Sequence, residues 1–318
     1  MLSLTSCGLR QWAAAKFRAL RGELGLNNNY QGSRTVGELL SSHGIKCLKS
    51  MGQNFLIDRN IPEKIARLSG VDKSCGVLEV GPGLGALTLE LGRVAGRVAA
   101  VELDARLLPM LQEITADLHN VEIVQGDILR LDLAKLVNEK MPGMGHHVCA
   151  NLPYNITTPA LTAFIGADAF QTITVMVQSE VARRICAMPG TPDYGSFTVY
   201  ANYHAMPETL FDVPPDCFFP RPRVYSSVLR LVAREGRIFD PKGSEEAMFF
   251  KVVRAAFGQR RKTLVNALNA VFGNILEKEE IAGAVAGCAF DVRVRGEVLG
   301  IDEFAELSNV IGLLCSNR

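Results

Sequence analysis

Glu79-Val80-Gly81-Pro82-Gly83-Leu84-Gly85-Ala86 decides how this chain is read. An apolar run, 76–80, leads into it and an amphipathic run, 84–95, leads out, so it is a strand, a glycine turn and a helix start. The same alternation continues on its C-terminal side. Strands are predicted over 97–101, 121–125, 146–150 and 173–177, with helices between several of them. Asp104 is placed to cap a helix running to about Asp117, and Pro159 behind Thr157 and Thr158 opens another. Continuous apolar strands separated by amphipathic helices imply a parallel sheet covered on both faces. Upstream, 35–43 reads as a helix stopped by Gly44, and Pro62 opens a helix that ends before Gly70. Two later strands, 208–213 and 226–232, precede a tail whose apolar spacing is helical throughout, over 248–271, 275–285 and 301–314.

The fold expected is therefore α/β, a Rossmann-like seven-stranded sheet with a small C-terminal helical domain. The divisions expected are an extension over 1–33, an α/β domain over 34–235 and a helical domain over 236–318. Residues 1–33 carry Arg10, Lys16, Arg18 and Arg21 beside Leu9, Trp12, Phe17, Leu20 and Leu24. That pattern suits an organelle transit peptide, and equally a short accessory helix or an extension from an early start codon. The accessory or extension reading is the preferred one.

At 48% hydrophobic the 318 residues suffice for a packed core, and the net charge of +1 excludes a general polycation. The basic residues are grouped instead. Lys251, Arg254, Arg260, Arg261 and Lys262 share an acid-free stretch, and Arg221, Arg223, Arg230, Arg234 and Arg237 include only Glu235 among them. Such groups suit a phosphate backbone, or a solvated helix face. No apolar run approaches the roughly 18 residues of a membrane span. None of the eight cysteines forms a C-x-x-C pair, so reduced and mostly buried thiols are expected, with no metal site.

Three carboxylates and the glycine turn outline a cofactor site. The turn alone also fits a dinucleotide pattern. Glu102 ends the next strand, where a carboxylate takes both hydroxyls of a ribose, again as in dinucleotide enzymes. Glu79 and Asp127 tip the reading. An acid two residues before the first glycine suits a cationic amino-acid end rather than a pyrophosphate, and Asp127 after the third strand suits an adenine amine. S-adenosylmethionine has both ends.

Asn151-Leu152-Pro153-Tyr154 lies 70 residues after Gly81, at the end of an apolar run. An exocyclic amine on an adenine is a poor nucleophile, because its free pair is delocalised into the ring. The Asn151 side-chain oxygen and the Leu152 carbonyl offer two acceptors for its hydrogens. Pro153, with no N–H and a fixed φ, turns that carbonyl outward, and Tyr154 offers a flat face for the base. A base inside a duplex must be flipped out to reach such a group, and Phe218 is the candidate for a second aromatic face.

These stretches resemble the KsgA/RsmA (Dim-type) small-subunit rRNA adenine dimethyltransferases. The resemblance spans about 35–315. It is carried by Gly52-Gln53-Asn54-Phe55-Leu56, the run 79–88, Val101-Glu102-Leu103-Asp104, Gly126-Asp127 and Asn151-Leu152-Pro153-Tyr154-Asn155-Ile156. It continues through Val177-Gln178-Ser179-Glu180-Val181-Ala182, Tyr194-Gly195, the F-x-P-x-P-x-V stretch 218–224, and 256–264. It implies that Asn54, Leu56, Gly81, Glu102, Asp127 and Asn151 contact S-adenosylmethionine. It also implies dimethylation of two adjacent adenosines in the 3′-terminal hairpin of small-subunit rRNA, on a late 30S assembly particle. A monomer in the cytoplasm is expected, with no membrane partner. The related Erm-type enzymes of large-subunit rRNA share the motifs but usually have a smaller tail. A non-catalytic assembly factor and a small-molecule N-methyltransferase are the other readings, the last disfavoured by the basic groups. Two departures stand out. Ser179 occupies a position where the family usually has lysine, and residues 1–33 lack a counterpart in typical bacterial members.

Overall fold

In a computed structural model of the chain, the residues described are Val36, Leu40, 52–236, Phe239 and 244–318. Their contacts divide into two compact units. One holds the described residues up to Ala160 together with Val213–Ser226, and the other holds Leu161–Asp212 and Ser227–Arg318.

The first unit carries the strands β1 (Phe55–Leu56), β2 (Cys75–Val80), β3 (Arg97–Glu102), β4 (Val121–Gln125), β5 (Gly145–Asn151) and β8 (Phe218–Phe219). Every residue of β2 is buried. A strand shielded on both faces has no polar side to alternate, which is why CGVLEV reads as an unbroken apolar run apart from Glu79. Strand β2 pairs in parallel with β3, Val77 opposite Val98, and with β5, Val77 opposite His147. Strand β3 pairs in parallel with β4. The helices α1 (Asn60–Leu68), α2 (Ala86–Val94), α3 (Leu108–Ile114) and α4 (Leu133–Lys140) accompany this sheet. Helix α1 buries Pro62, Ile65 and Ala66 and is followed by Gly70 at φ +77°. Helix α4 is capped by Asp132, whose Oδ1 accepts from the Lys135 N–H at 3.0 Å.

The second unit holds β6 (Thr172–Gln178), α6 (Ser179–Ile185), α7 (Ser196–His204), and all of β7 (Ala205–Val213) and β9 (Ser226–Ala233) except Val213 and Ser226, which close the first unit's segment; helix α5 (Thr157–Gly166) runs across the boundary at Ala160. The order of the seven-stranded sheet is β4-β3-β2-β5-β6-β9-β7. This is the expected Rossmann-like α/β sheet. The tail is helical: α8 (Ser244–Gly258), α9 (Leu264–Phe272), α10 (Lys278–Gly287) and α11 (Ile301–Ser316). Their core is made of Phe249, Leu264, Leu268, Phe272, Ile281 and Phe304, all fully or nearly fully buried, with Val199 and Tyr203 from α7 in the same cluster. The Tyr194 hydroxyl donates to the Leu299 carbonyl at 2.8 Å, which satisfies the one polar group of a ring that packs among these side chains.

Several boundaries differ from the sequence reading, for local reasons. Asp104 does not cap the helix that follows it. Its carbonyl accepts from the Leu107 N–H and its carboxylate is held by Arg106, so it closes a turn, and α3 begins only at Leu108. The run 248–271 is two helices. The first ends at Gly258, and Thr263 caps the next, its hydroxyl accepting from the Asn266 N–H at 3.4 Å. Strands β1 and β8 are two residues each, too short for any periodicity to announce them. The expectations for 1–33 and for most of 35–43 lie outside the described residues; Val36 and Leu40 are helical and buried. Among the described residues no helix is long and apolar enough to cross a membrane. The described cysteines are all free, with Cys75, Cys149, Cys217 and Cys288 buried.

Candidate active site

The carboxyl ends of β2, β3, β4 and β5 open on one cavity of about 230 Å³ in the first unit. Strand β2 leads on one side to β3 and on the other to β5, so the chain reverses its direction of winding there. Crevices at such a reversal are where open α/β sheets bind ligands.

Three glycines of the turn after β2 are left-handed: Gly81 at φ +64°, Gly83 at +59° and Gly85 at +75°. At Gly83 the space matters as well, since a Cβ would come within 3.0 Å of the Phe55 ring. Any side chain there would push β1 off the turn or lift the turn into the cavity. Gly85 is the N-cap of α2, so the turn delivers the backbone straight into a helix.

Glu102, at the end of β3, is 6% exposed. Its Oε2 accepts from the Gly83 N–H at 3.2 Å and its Oε1 from the Asp104 N–H at 2.8 Å. Burial raises its pKa against these two bonds. A carboxylate has about four lone-pair positions, so both oxygens retain room for a further donor each. That is the requirement for holding two vicinal hydroxyls. Asp127 lies two residues after β4. It accepts from the Leu129 N–H at 3.0 Å through Oδ1, and its other oxygen is 3.5 Å from Arg130.

Glu79 is the unusual group. It is 1% exposed, lines the cavity, and its Oε2 has no hydrogen-bond partner. Burial, with the charge of Glu102 adding to it, pushes its pKa up to about 8. A buried carboxyl with an orphaned oxygen is costly unless something arrives to pair with it.

Asn151 closes β5. Its Nδ2 donates to the Asn54 carbonyl at 3.0 Å, which leaves Oδ1 as the free acceptor. Leu152 is 1% exposed, so its side chain anchors the segment while its backbone borders the cavity. Pro153, at φ −56° and ψ 130°, starts a single 3-10 turn over Tyr154–Ile156. The Tyr154 ring borders the cavity and its hydroxyl shares a 2.7 Å hydrogen bond with Ser226 Oγ. Burial raises the Tyr154 pKa, so the phenol stays protonated at neutral pH.

The structure thus brings Asn54, Leu56, Gly81, Glu102, Asp127, Asn151, Leu152, Pro153 and Tyr154 to one cavity wall. Phe218 is not among them. It is 2% exposed, with its backbone paired to Leu56 in the β1–β8 ribbon, so its ring lies behind the wall rather than on it. The physical reason is the neighbourhood: Phe218 is the buried residue of the two-residue strand β8, and Cys217 before it is buried as well.

Residues that sequence reasoning missed include Gln53, whose Nε2 donates to Asp104 Oδ2 at 3.0 Å, and the exposed leucines Leu103 and Leu129 at the mouth. An apolar residue directly after Glu102 and another two after Asp127 were the available signal. Both are more than a third exposed, where leucine gains nothing unless a flat apolar group covers it.

In the second unit the basic groups part company. Arg230 pairs with Glu208 at 2.6 Å, Arg234 donates to the Asn202 carbonyl, and Arg260 is tied to Pro192 and Glu297. Arg254, Arg261 and Lys262 are exposed. In the first unit Arg221 pairs with Asp216 at 3.0 Å. Arg237 lies outside the described residues. Ser179, where the family usually has lysine, sits 2.8 Å from Ser227 Oγ, which donates to Asp212. The hydroxyls answer that carboxylate without a charge.

The family model described as ribosomal RNA adenine dimethylase matches residues 44–285. A curated relative named ribosomal RNA small subunit methyltransferase A, from Clostridioides difficile (strain 630), is 43% identical over 282 residues, covering 88% of this chain and 96% of its own. A solved dimethyladenosine transferase from Plasmodium falciparum superposes with a TM-score of 0.71 at 22% identity, covering 82% of this chain and 98% of that one. The 23S rRNA methyltransferase ErmE superposes with a TM-score of 0.63 at 24% identity, covering 81% of this chain and 99% of that one. At these identities the two structures speak for the fold.

Proposed function

Since this chain belongs to the ribosomal RNA adenine dimethylase family and is an S-adenosylmethionine-dependent enzyme, we propose that it dimethylates N6 of two adjacent adenosines in the 3′-terminal hairpin of small-subunit rRNA. The observation that carries this reading is Asn151: its amide nitrogen is committed to the Asn54 carbonyl, so its oxygen is left as an acceptor facing the cavity that Tyr154 borders. The name of the relative from Clostridioides difficile supports the small-subunit substrate. The particle acted on is a late 30S assembly intermediate, the enzyme is a monomer, and it works in the cytoplasm. The domain division at about 235 and the separate standing of residues 1–33 belong to the same proposal.

When bound, S-adenosylmethionine supplies an activated methyl group on a cationic sulfur. The residues of this chain fit it. The Glu79 carboxyl offers the orphaned oxygen to a cation, Glu102 offers two acceptors to ribose hydroxyls, and Asp127 offers one to an adenine amine. Leu103 and Leu129 supply apolar faces. Asn151 Oδ1 and the Leu152 carbonyl take the two hydrogens of the target amine, and Tyr154 stacks on its ring. Drawing on both hydrogens turns the nitrogen pair out of conjugation and toward the incoming methyl. No strong base is needed, because the methylated ammonium is acidic and gives its proton to water. Catalysis is then chiefly alignment, an effect worth about 7–11 kcal/mol in favourable cases.

Glu79 gives the site a pH signature. Its carboxyl is protonated in the free enzyme below about pH 8, and a bound cation favours the ionised form. Cofactor binding therefore releases a proton, and affinity rises with pH until it levels off near 8. The groups facing Glu79 are Glu102, whose charge works in the same direction, and Cys149, a buried thiol whose own pKa is raised. The sign for folding is opposite. A raised carboxyl pKa means that the native state holds a proton the unfolded chain has lost, so this group lowers stability as pH rises from the ordinary carboxylate range through 8. Calorimetry of cofactor binding in buffers of different ionisation heat measures the released proton. Glu79→Gln is expected to abolish it; an unchanged proton release in that variant removes Glu79 from the account.

The substrate assignment is tested by supplying labelled S-adenosylmethionine with unmethylated small-subunit particles and, separately, with large-subunit RNA. Label is expected in the small-subunit RNA alone. Label only in large-subunit RNA supports an Erm-type enzyme, and tight particle binding without transfer supports an assembly factor.

A further inference from the structure

We propose that Ser226 is a positioning residue for methyl transfer: its hydroxyl pins the Tyr154 ring at the angle at which the target base stacks. The proposal rests on the adenine-methylating reading of the site given above.

Tyr154 begins a single 3-10 turn, and one such turn is a weak support for an aromatic ring. At its base the Pro153 carbonyl accepts from the Ile156 N–H at 3.1 Å and from Thr157 Oγ1 at 3.3 Å, bonds that hold the backbone and not the ring. The far end of the ring is held by the 2.7 Å bond between the Tyr154 hydroxyl and Ser226 Oγ, 72 residues away in sequence. Ser226 is 0% exposed and is the first residue of β9, a strand whose next residues Ser227, Val228 and Leu229 are buried. Ser226 closes the first unit's segment Val213–Ser226 and is fully buried, so its hydroxyl has a fixed position and the bond holds the far end of the ring within that unit. The stretch directly before Ser226 is exposed, with Val224 at 45% and Tyr225 at 57%, so burial begins abruptly at this hydroxyl. Neither oxygen of the pair can turn to water without leaving the other buried and unpaired.

A bond that only stabilises the fold and a bond that aims the ring give different kinetics. Ring tilt affects the alignment of base and methyl and leaves the cofactor site, built from β2, β3 and β4, untouched. Ser226→Ala and Tyr154→Phe remove the same bond from opposite ends. Each is expected to lower kcat about 3- to 10-fold, the range set by one neutral hydrogen bond, with cofactor Kd by calorimetry within about twofold of wild type. The double variant is expected to be no slower than the slower single variant, because residues that act through one shared bond are not additive. Full-length protein and unmethylated small-subunit particles are used throughout. If Ser226→Ala retains wild-type kcat, or if the two losses multiply, the inference is wrong while the proposed function stands. If the wild-type enzyme itself transfers no methyl group to adenosine, the proposed function fails and the inference with it. Should Ser226→Ala misfold, Tyr154→Phe alone decides: wild-type kcat in that variant overturns the proposal.

Discussion

Asn151→Ala is expected to fold, to bind S-adenosylmethionine nearly as well as the wild type, and to lose methyl transfer by about 100-fold or more. The magnitude follows from removing one preorganised polar contact at the reacting group, which costs about 100- to 1,000-fold in comparable sites. The amide does two jobs with its two ends. The nitrogen holds the Asn54 carbonyl and so fixes the segment before β1, and the oxygen is left to accept from the target amine. Alanine removes the second job outright. The first is replaceable, because the Asn54–Asn151 bond is only partly buried and water can reach the carbonyl. Single-turnover kinetics and calorimetry on the same preparation separate the two effects. Near-normal turnover in this variant means that the amine is not held by Asn151, and the alignment mechanism falls.

Tyr154→Ala comes second in expected size. Stacking of a base on an aromatic ring is worth about 1–3 kcal/mol, so loss of the ring is expected to cost roughly 5- to 150-fold. The loss should appear with small-subunit particles and leave cofactor affinity alone. Tyr154→Phe keeps the face and loses only the bond to Ser226, so its defect stays within about tenfold. Phe218 is enclosed behind the wall and is not among the residues that line the cavity, so it does not substitute for Tyr154 there. Equal defects in the phenylalanine and alanine variants, measured as kcat on the same particles, place the function in the hydroxyl instead of the ring.

How much of this was legible in sequence depended on whether a signal was local. The Gly81–Ala86 turn was readable because three closely spaced glycines suit a turn that needs φ > 0 at each of them, and the flanking periodicities fixed what lay on either side. Glu102, Asp127 and Asn151 were readable because each stands at or just after the end of a parallel strand, and parallel strands bring their carboxyl ends to the same edge. Long-range pairings left no such trace. Nothing in Phe218-Phe219 announces a two-residue ribbon with Phe55-Leu56, although Leu56 pairs with Phe218 across 162 positions, and Phe218 is buried there. Ser226 was invisible for the same reason. A serine at the start of a strand is unremarkable until the fold sets it 2.7 Å from Tyr154. The basic groups show the limit of counting charges. Arg230 and Arg260 belong to clusters in sequence, yet each is spent on an internal acid.

The central claim is that this site methylates an exocyclic adenine amine, and the most direct measurement is the identity of the product nucleoside. Small-subunit particles treated with enzyme and labelled S-adenosylmethionine are digested to nucleosides, and the labelled species is identified by mass. The expected result is N6,N6-dimethyladenosine, carrying label in both methyl groups and absent when Asn151→Ala replaces the wild type. Label on a ribose oxygen, on a ring nitrogen or on another base would contradict the account.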